Sequence, residues 1–109
     1  MQVAGIEQLD PHEAQRRIDA GALLVDVREA DERAQALVPG SLWVPMSQIG
    51  ERVGDLPRDR PLVLQCAGGV RSQQVAQWLA PQGFDVANQM HGLSGWARMG
   101  LPVTAGEAP

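Results

Sequence analysis

Pro61-Leu62-Val63-Leu64-Gln65-Cys66-Ala67-Gly68-Gly69-Val70-Arg71-Ser72 decides the reading of this chain. Leu62 to Leu64 is a short apolar run of the kind a buried strand needs, and Val70 to Leu79 reads as a helix. Cys66 therefore falls between the carboxyl end of a strand and the amino end of a helix. Ligands of open α/β sheets bind at that place. A thiol there faces unpaired N–H groups and the positive end of a helix dipole, both of which favour the thiolate. Gly68 and Gly69 let the backbone curl around a sulfur or an anion. Arg71 adds a permanent, fork-shaped cation. A lone cysteine is most often a small core residue. The glycines and the arginine shift the reading here to a nucleophilic sulfur that handles anionic substrates.

The rest of the chain alternates between strand and helix signals. Val3 to Ile6 reads as a first strand. Asp10-Pro11-His12-Glu13 is a helix start with a capping aspartate, a proline at the first helical position and a capping-box acid. That helix should run to Ala20 and stop at Gly21. Ala22 to Val27 is nearly all apolar, as in a parallel strand covered on both faces. Ala30 to Ala36 reads as a short helix, Val38-Pro39-Gly40-Ser41 as a turn, and Leu42 to Val44 as a brief strand. Ser47 reads as the cap of a helix reaching Val53, and Gly54 to Pro61 as a loop. In the helix after Cys66, Val70, Val75, Ala76 and Leu79 should face inward. Phe84 to Asn88 reads as a last strand and Leu93 to Met99 as a last helix. Thr104 to Pro109 reads as a flexible tail on a domain spanning residues 1–103. This alternation predicts a mostly parallel sheet with helices on both faces.

Composition narrows the function classes. The chain has 109 residues, of which 44% are hydrophobic and 20% charged, the balance of one soluble globular domain. A net charge of −4 gives no footing for nucleic acid or a membrane surface. All nine cations are arginine, which reads as compositional bias. The single cysteine excludes an internal disulfide. Met1 to Glu7 lacks the regions of a signal peptide, and no apolar stretch approaches a membrane span. The expectation is a cytoplasmic monomer whose thiol stays reduced.

Other candidates weigh differently. Among Asp26, Arg28 and Glu29 the favoured reading is a structural acid–base pair at a strand end, with Asp26 or Glu29 bracing a neighbouring loop and Arg28 able to lend positive potential. Ser72 reads first as a helix-start hydrogen bonder that can also donate to the sulfur. His12 and His91 form no metal-ligand pattern with Cys66, so no metal is expected. His12 belongs to a solvated helix start and His91 near the rim of the site. Trp43, Trp78 and Trp96 read as packing residues, with Trp96 as a lesser candidate for a wall of the site.

These residues resemble the rhodanese-like family of sulfurtransferases. Asp26-Val27-Arg28-Glu29 resembles the Asp-x-Arg segment that ends the family's second strand. Val38-Pro39-Gly40-Ser41 resembles its Ile-Pro-Gly-Ala turn. Cys66 to Ser72 matches its active-loop pattern Cys-x-x-Gly-x-Arg-Ser. Gln82-Gly83-Phe84, Gly92, Trp96 and Gly100-Leu101-Pro102-Val103 resemble its closing segment. Two departures stand out: Ala36-Leu37 replaces a common Gly-His, and His91 replaces an acid. The resemblance covers Ile6 to Val103 and implies a five-stranded, mostly parallel sheet flanked by helices.

It also implies persulfide chemistry on Cys66 without a cofactor. Thiosulfate or another sulfane donor would bind near Arg71. The Cys66 thiolate would take the outer sulfur and pass it to cyanide or a thiol. Ala67, Gly68, Gly69, Val70 and Ser72 would line the loop and steady the anionic sulfur, with Asp26 and Arg28 in support. Only four residues separate Cys66 from Arg71. The related cell-cycle phosphatases have one more, and a histidine where Gln65 stands. The shorter loop suits one sulfur better than a phosphate. Two alternatives stay open: a persulfide carrier fed by a partner protein, and a non-catalytic interaction domain.

Overall fold

The computed structural model describes residues 5–106. Strand β1 (Glu7–Leu9) leads into helix α1 (Pro11–Asp19), where the Glu13 N–H donates to Asp10 Oδ1 at 2.8 Å and the Asp10 N–H to Glu13 Oε1 at 3.1 Å. The capping box read from sequence is thus formed. Next come β2 (Leu23–Asp26), α2 (Ala30–Gln35), β3 (Ala36–Leu37), β4 (Leu42–Trp43) and α3 (Ile49–Arg52). The chain closes with β5 (Leu62–Gln65), α4 (Val70–Leu79), β6 (Val86–Gln89), α5 (Gly92–Arg98) and β7 (Thr104–Ala105).

Five strands form one sheet in the order β1-β6-β5-β2-β4, and every pairing is parallel. Alternation along β5 explains how both faces fill. Leu62 and Leu64 pack with Val25, Val75, Ala76 and Leu79 on the face covered by α3 and α4. Val63 packs with Leu9, Leu24, Ala14 and Trp96 on the face covered by α1 and α5. The expected α/β architecture is the observed one.

The chain leaves β2 toward β4 and leaves β5 toward β6, so the strand order reverses between β2 and β5. Such a reversal opens a crevice at the carboxyl ends of the two strands. Buried polar side chains gather at these ends instead of apolar ones: Asp26, Gln65, Asn88 and Gln89 are all at most 2% exposed.

The sequence reading needs several corrections. The first strand is Glu7–Leu9, not Val3 to Ile6, and residues 3 and 4 lie outside the described part. Its register is set across the sheet, Leu9 pairing with Gln89, rather than by the local apolar run. Ser47 caps no helix, because its hydroxyl donates to Glu29 Oε1 at 2.6 Å and its N–H to Glu29 Oε2 at 3.2 Å. Val70 does not face inward; it is 70% exposed, because the first residue of α4 overhangs the end of the sheet. Thr104 and Ala105 are not free tail: they pair antiparallel with Leu37 and Ala36. That pairing gives Leu37 a place in a strand.

Candidate active site

Strand β5 is central and buried at all four positions, so it delivers Cys66 to a fixed point at the crevice. The residues after Cys66 turn back on its sulfur. Gly69, with φ at +102°, takes the left-handed conformation that glycine tolerates best. This aims the Gly69 N–H at Cys66 Sγ, 3.1 Å away. The carbonyl of Gly69 accepts from Asn88 Nδ2 at 3.2 Å, which fixes the turn from the neighbouring strand. Ser72, fully buried on the first turn of α4, brings its Oγ to 3.3 Å from Sγ and 2.6 Å from Asn88 Oδ1. Its single hydroxyl proton thus has two acceptors.

Cys66 is only 1% exposed. Burial alone pushes its thiol up, since a charge is costly in an apolar setting. The Ser72 hydroxyl and the N–H groups of Ser72, Gly69 and Gly68 outweigh burial and bring the thiol below its ordinary value. The sign follows directly. A depressed folded-state pKa stabilises the fold above the unfolded thiol value, and this contribution fades as pH falls through the folded value. The thiolate absorbance of native protein, with Cys66→Ser as blank, should therefore titrate below that of the unfolded chain. Ser72→Ala should move the midpoint upward. An unchanged midpoint would remove Ser72 from the sulfur's environment.

The far side of the loop is held by α5. The Leu93 N–H donates to Cys66 O at 2.8 Å and the Ser94 N–H to Ala67 O at 3.2 Å. The first N–H groups of a helix lack partners within it, and here the loop carbonyls supply them. Gly92 makes the approach feasible. A Cβ there would lie 2.3 Å from Cys66 O and 2.4 Å from Ala67 C. Gly68 is unlike the other two loop-contacting glycines: nothing among the described residues lies within 4 Å of where its Cβ would sit. Its side of the loop is the open one.

The structure also locates the remaining candidates. Asp26, fully buried, accepts from Arg28 Nε at 3.0 Å, Arg28 Nη2 at 2.9 Å and Arg33 Nη1 at 3.1 Å. Arg33 also donates to Ser41 Oγ at 2.9 Å, and Arg28 to Ala36 O at 2.6 Å. The ion pair ties α2 and the Pro39-Gly40 turn to the end of β2. Neutralising its only carboxylate would leave two guanidiniums short of a partner. Asp26→Asn should therefore lower unfolding free energy by about 3–5 kcal/mol, measured from the urea midpoint. A loss within experimental error would show the pair to be dispensable.

Arg71 is the main departure. It does not stand as a free cation. Its Nη1 and Nη2 donate to Glu32 Oε1 and Oε2 at 2.7 and 2.8 Å, a bidentate pair joining α4 to α2. Trp96 belongs to the opposite core face from Cys66 and donates to Pro102 O, so it does not wall the sulfur. His91 is solvent-exposed, with φ at +69°, at the start of α5. His12 is exposed, as expected.

Sequence reasoning missed Asn88, Glu32 and the packing role of Gly92. Asn88 had a readable signal, since two amides end the apolar strand run at Ala87-Asn88-Gln89. Glu32 had none, because its partner lies 39 positions away.

Known proteins share the sequence pattern and the fold. The family model described as a rhodanese-like domain matches residues 10–99. A sulfurtransferase of Allochromatium vinosum is 37% identical over 105 residues, covering 94% of this chain and 98% of that protein. The thiosulfate sulfurtransferase GlpE of Actinobacillus pleuropneumoniae serotype 7 is 32% identical over 98 residues, covering 88% and 91% respectively. A rhodanese-related protein from Thermoplasma volcanium superposes with a TM-score of 0.86 at 26% identity, covering 91% of this chain and 98% of that one. With the family model spanning most of its length and the cysteine loop formed at the sheet's crevice, this chain belongs to the rhodanese-like domain family.

Proposed function

We propose that the protein is a sulfurtransferase that moves a sulfane sulfur from thiosulfate or a related donor to cyanide or a thiol through a persulfide on Cys66. One observation carries the reading. The Cys66 sulfur sits at the end of the central strand, within hydrogen-bond reach of Gly69 N at 3.1 Å and Ser72 Oγ at 3.3 Å, in surroundings that favour its thiolate.

The thiolate attacks the outer sulfur of the donor. The bond between that sulfur and the rest of the donor breaks, and the leaving group departs with the electron pair, as sulfite when thiosulfate is used. The persulfide keeps a negative charge near the same place. Preorganised N–H donors of Gly68, Gly69 and Ser72 serve both states without rearrangement, which is where such donors are most effective. An acceptor nucleophile then takes the outer sulfur and returns Cys66 to its thiolate. Asn88 holds both Gly69 and Ser72 and so keeps the cradle in shape. A lone thiol used this way suits a reducing compartment such as the cytoplasm.

The test is intact-mass spectrometry after incubation with thiosulfate or a persulfide. A gain of one sulfur atom, removed by added cyanide, is expected. No gain with any sulfane donor would sink the reading.

A further inference from the structure

The charged groups around the crevice cancel. Arg28 and Arg33 are bound to Asp26, and Arg71 to Glu32. Glu29 accepts from Ser47 and, through its own N–H, donates to Glu32 Oε1 at 3.1 Å. Three guanidiniums thus face three carboxylates. The loop's open side is lined by exposed Gly68 and by Val70, itself 70% exposed. One helical row runs on from Val70 through Gln74 to Trp78, which is 44% exposed. Trp78 and Gln74 border an apolar groove of about 360 Å³ shared with Met46, Ile49 and Val75.

The Glu32–Arg71 pair spans the point where strand order reverses, since α2 follows β2 and α4 follows β5. Glu32 stays ionised across the working pH range. The hydrogen bonds from Arg71 are the main reason the Glu32 carboxyl sits at about 2. A dianionic donor entering here meets a guanidinium whose charge is balanced by Glu32 and whose two terminal nitrogens already donate to it.

Building on the sulfurtransferase reading above, we infer that Glu32 is a specificity residue: it withholds Arg71 from dianionic donors, so that the loop takes sulfur from persulfides of low charge with an apolar substituent faster than from a dianion such as thiosulfate. In that reaction the Cys66 thiolate attacks the outer sulfur of R–S–SH. The bond between Cys66 Sγ and this sulfur forms as the inner S–S bond breaks. R–S⁻ leaves with the electron pair and takes up the proton the transferred sulfur carried, giving R–SH and the Cys66 persulfide anion.

Two persulfides with like sulfur chemistry separate the possibilities: benzyl persulfide, uncharged beyond its sulfur, and mercaptosuccinate persulfide, with two carboxylates. Rates of sulfur addition to Cys66 are followed by intact mass. The wild type should favour the benzyl compound by about tenfold, and Glu32→Gln should bring the ratio near one, chiefly through the KM of the dicarboxylate. Glu32→Gln with Arg71→Gln should restore the wild-type ratio. In the wild type alone, dicarboxylate loading should vary little with ionic strength, because Arg28, Arg33 and Arg71, the guanidiniums described around the crevice, are all paired. Equal wild-type rates, a ratio unmoved in folded Glu32→Gln, or steep salt dependence in the wild type would each overturn the inference. If neither persulfide loads Cys66, the sulfurtransferase reading itself falls; if the dicarboxylate loads as fast as the benzyl compound, only the role of Glu32 falls.

Discussion

Cys66→Ser should reduce sulfur loading by roughly a thousandfold or more, the scale on which loss of a catalytic nucleophile acts. The fold should survive. Serine matches cysteine in shape, and its hydroxyl would enter a pocket already supplied with donors from Gly69 and Ser72. A buried hydroxyl with hydrogen-bond partners is tolerated, whereas an orphaned one is costly. The hydroxyl cannot take over the chemistry, since it neither ionises near neutral pH nor forms a persulfide. Mass gain with thiosulfate or benzyl persulfide, read beside the urea midpoint of the same variant, checks both halves. A variant that still gains sulfur at the wild-type rate would show that Cys66 is not the carrier.

Gly92→Ala should be the most damaging single methyl placed against the Cys66 loop. The added Cβ would lie 2.3 Å from Cys66 O and 2.5 Å from Ala67 O, and both are backbone atoms. They cannot swing aside as a side-chain tip would. The residue also has φ at +55°, a conformation that carries a penalty for any L side chain. Strain of about 1–2 kcal/mol from the backbone adds to overpacking of about 1–3 kcal/mol. Relief requires the loop to move away from α5, which breaks the bonds from Leu93 N to Cys66 O and from Ser94 N to Ala67 O. Stability and sulfur loading should fall together. Gly68→Ala is the matched control, with open space at its Cβ and a φ outside the left-handed region. Its urea midpoint should stay close to wild type. Wild-type stability in Gly92→Ala would mean the loop does not rest on α5 as described.

Local chemistry made much of this legible. The Asp10-Pro11-His12-Glu13 start, the apolar Leu62 to Leu64 run and the glycines after Cys66 each encode their own structure within a few residues. The alternation of strand and helix sufficed for a parallel sheet, and a cysteine between strand and helix sufficed for the candidate nucleophile. The Asp26–Arg28 ion pair was also readable, because the two residues are adjacent but one and share a strand end.

Tertiary structure alone decided what depended on distant partners. Glu7–Leu9 became the strand because β6 lay beside it in that register. Thr104 and Ala105 left the tail because Ala36 and Leu37 offered an edge to pair with. Val70 turned outward because its helix begins beyond the sheet. Arg71 was identifiable as a cation in the loop from sequence, but its availability was not, since a carboxylate from another helix completes its hydrogen bonding. A sequence specifies which groups a chain carries and the local turns that aim them. Only the packed fold sets which charges meet and cancel, because electrostatic pairing acts through space and takes no account of separation along the chain.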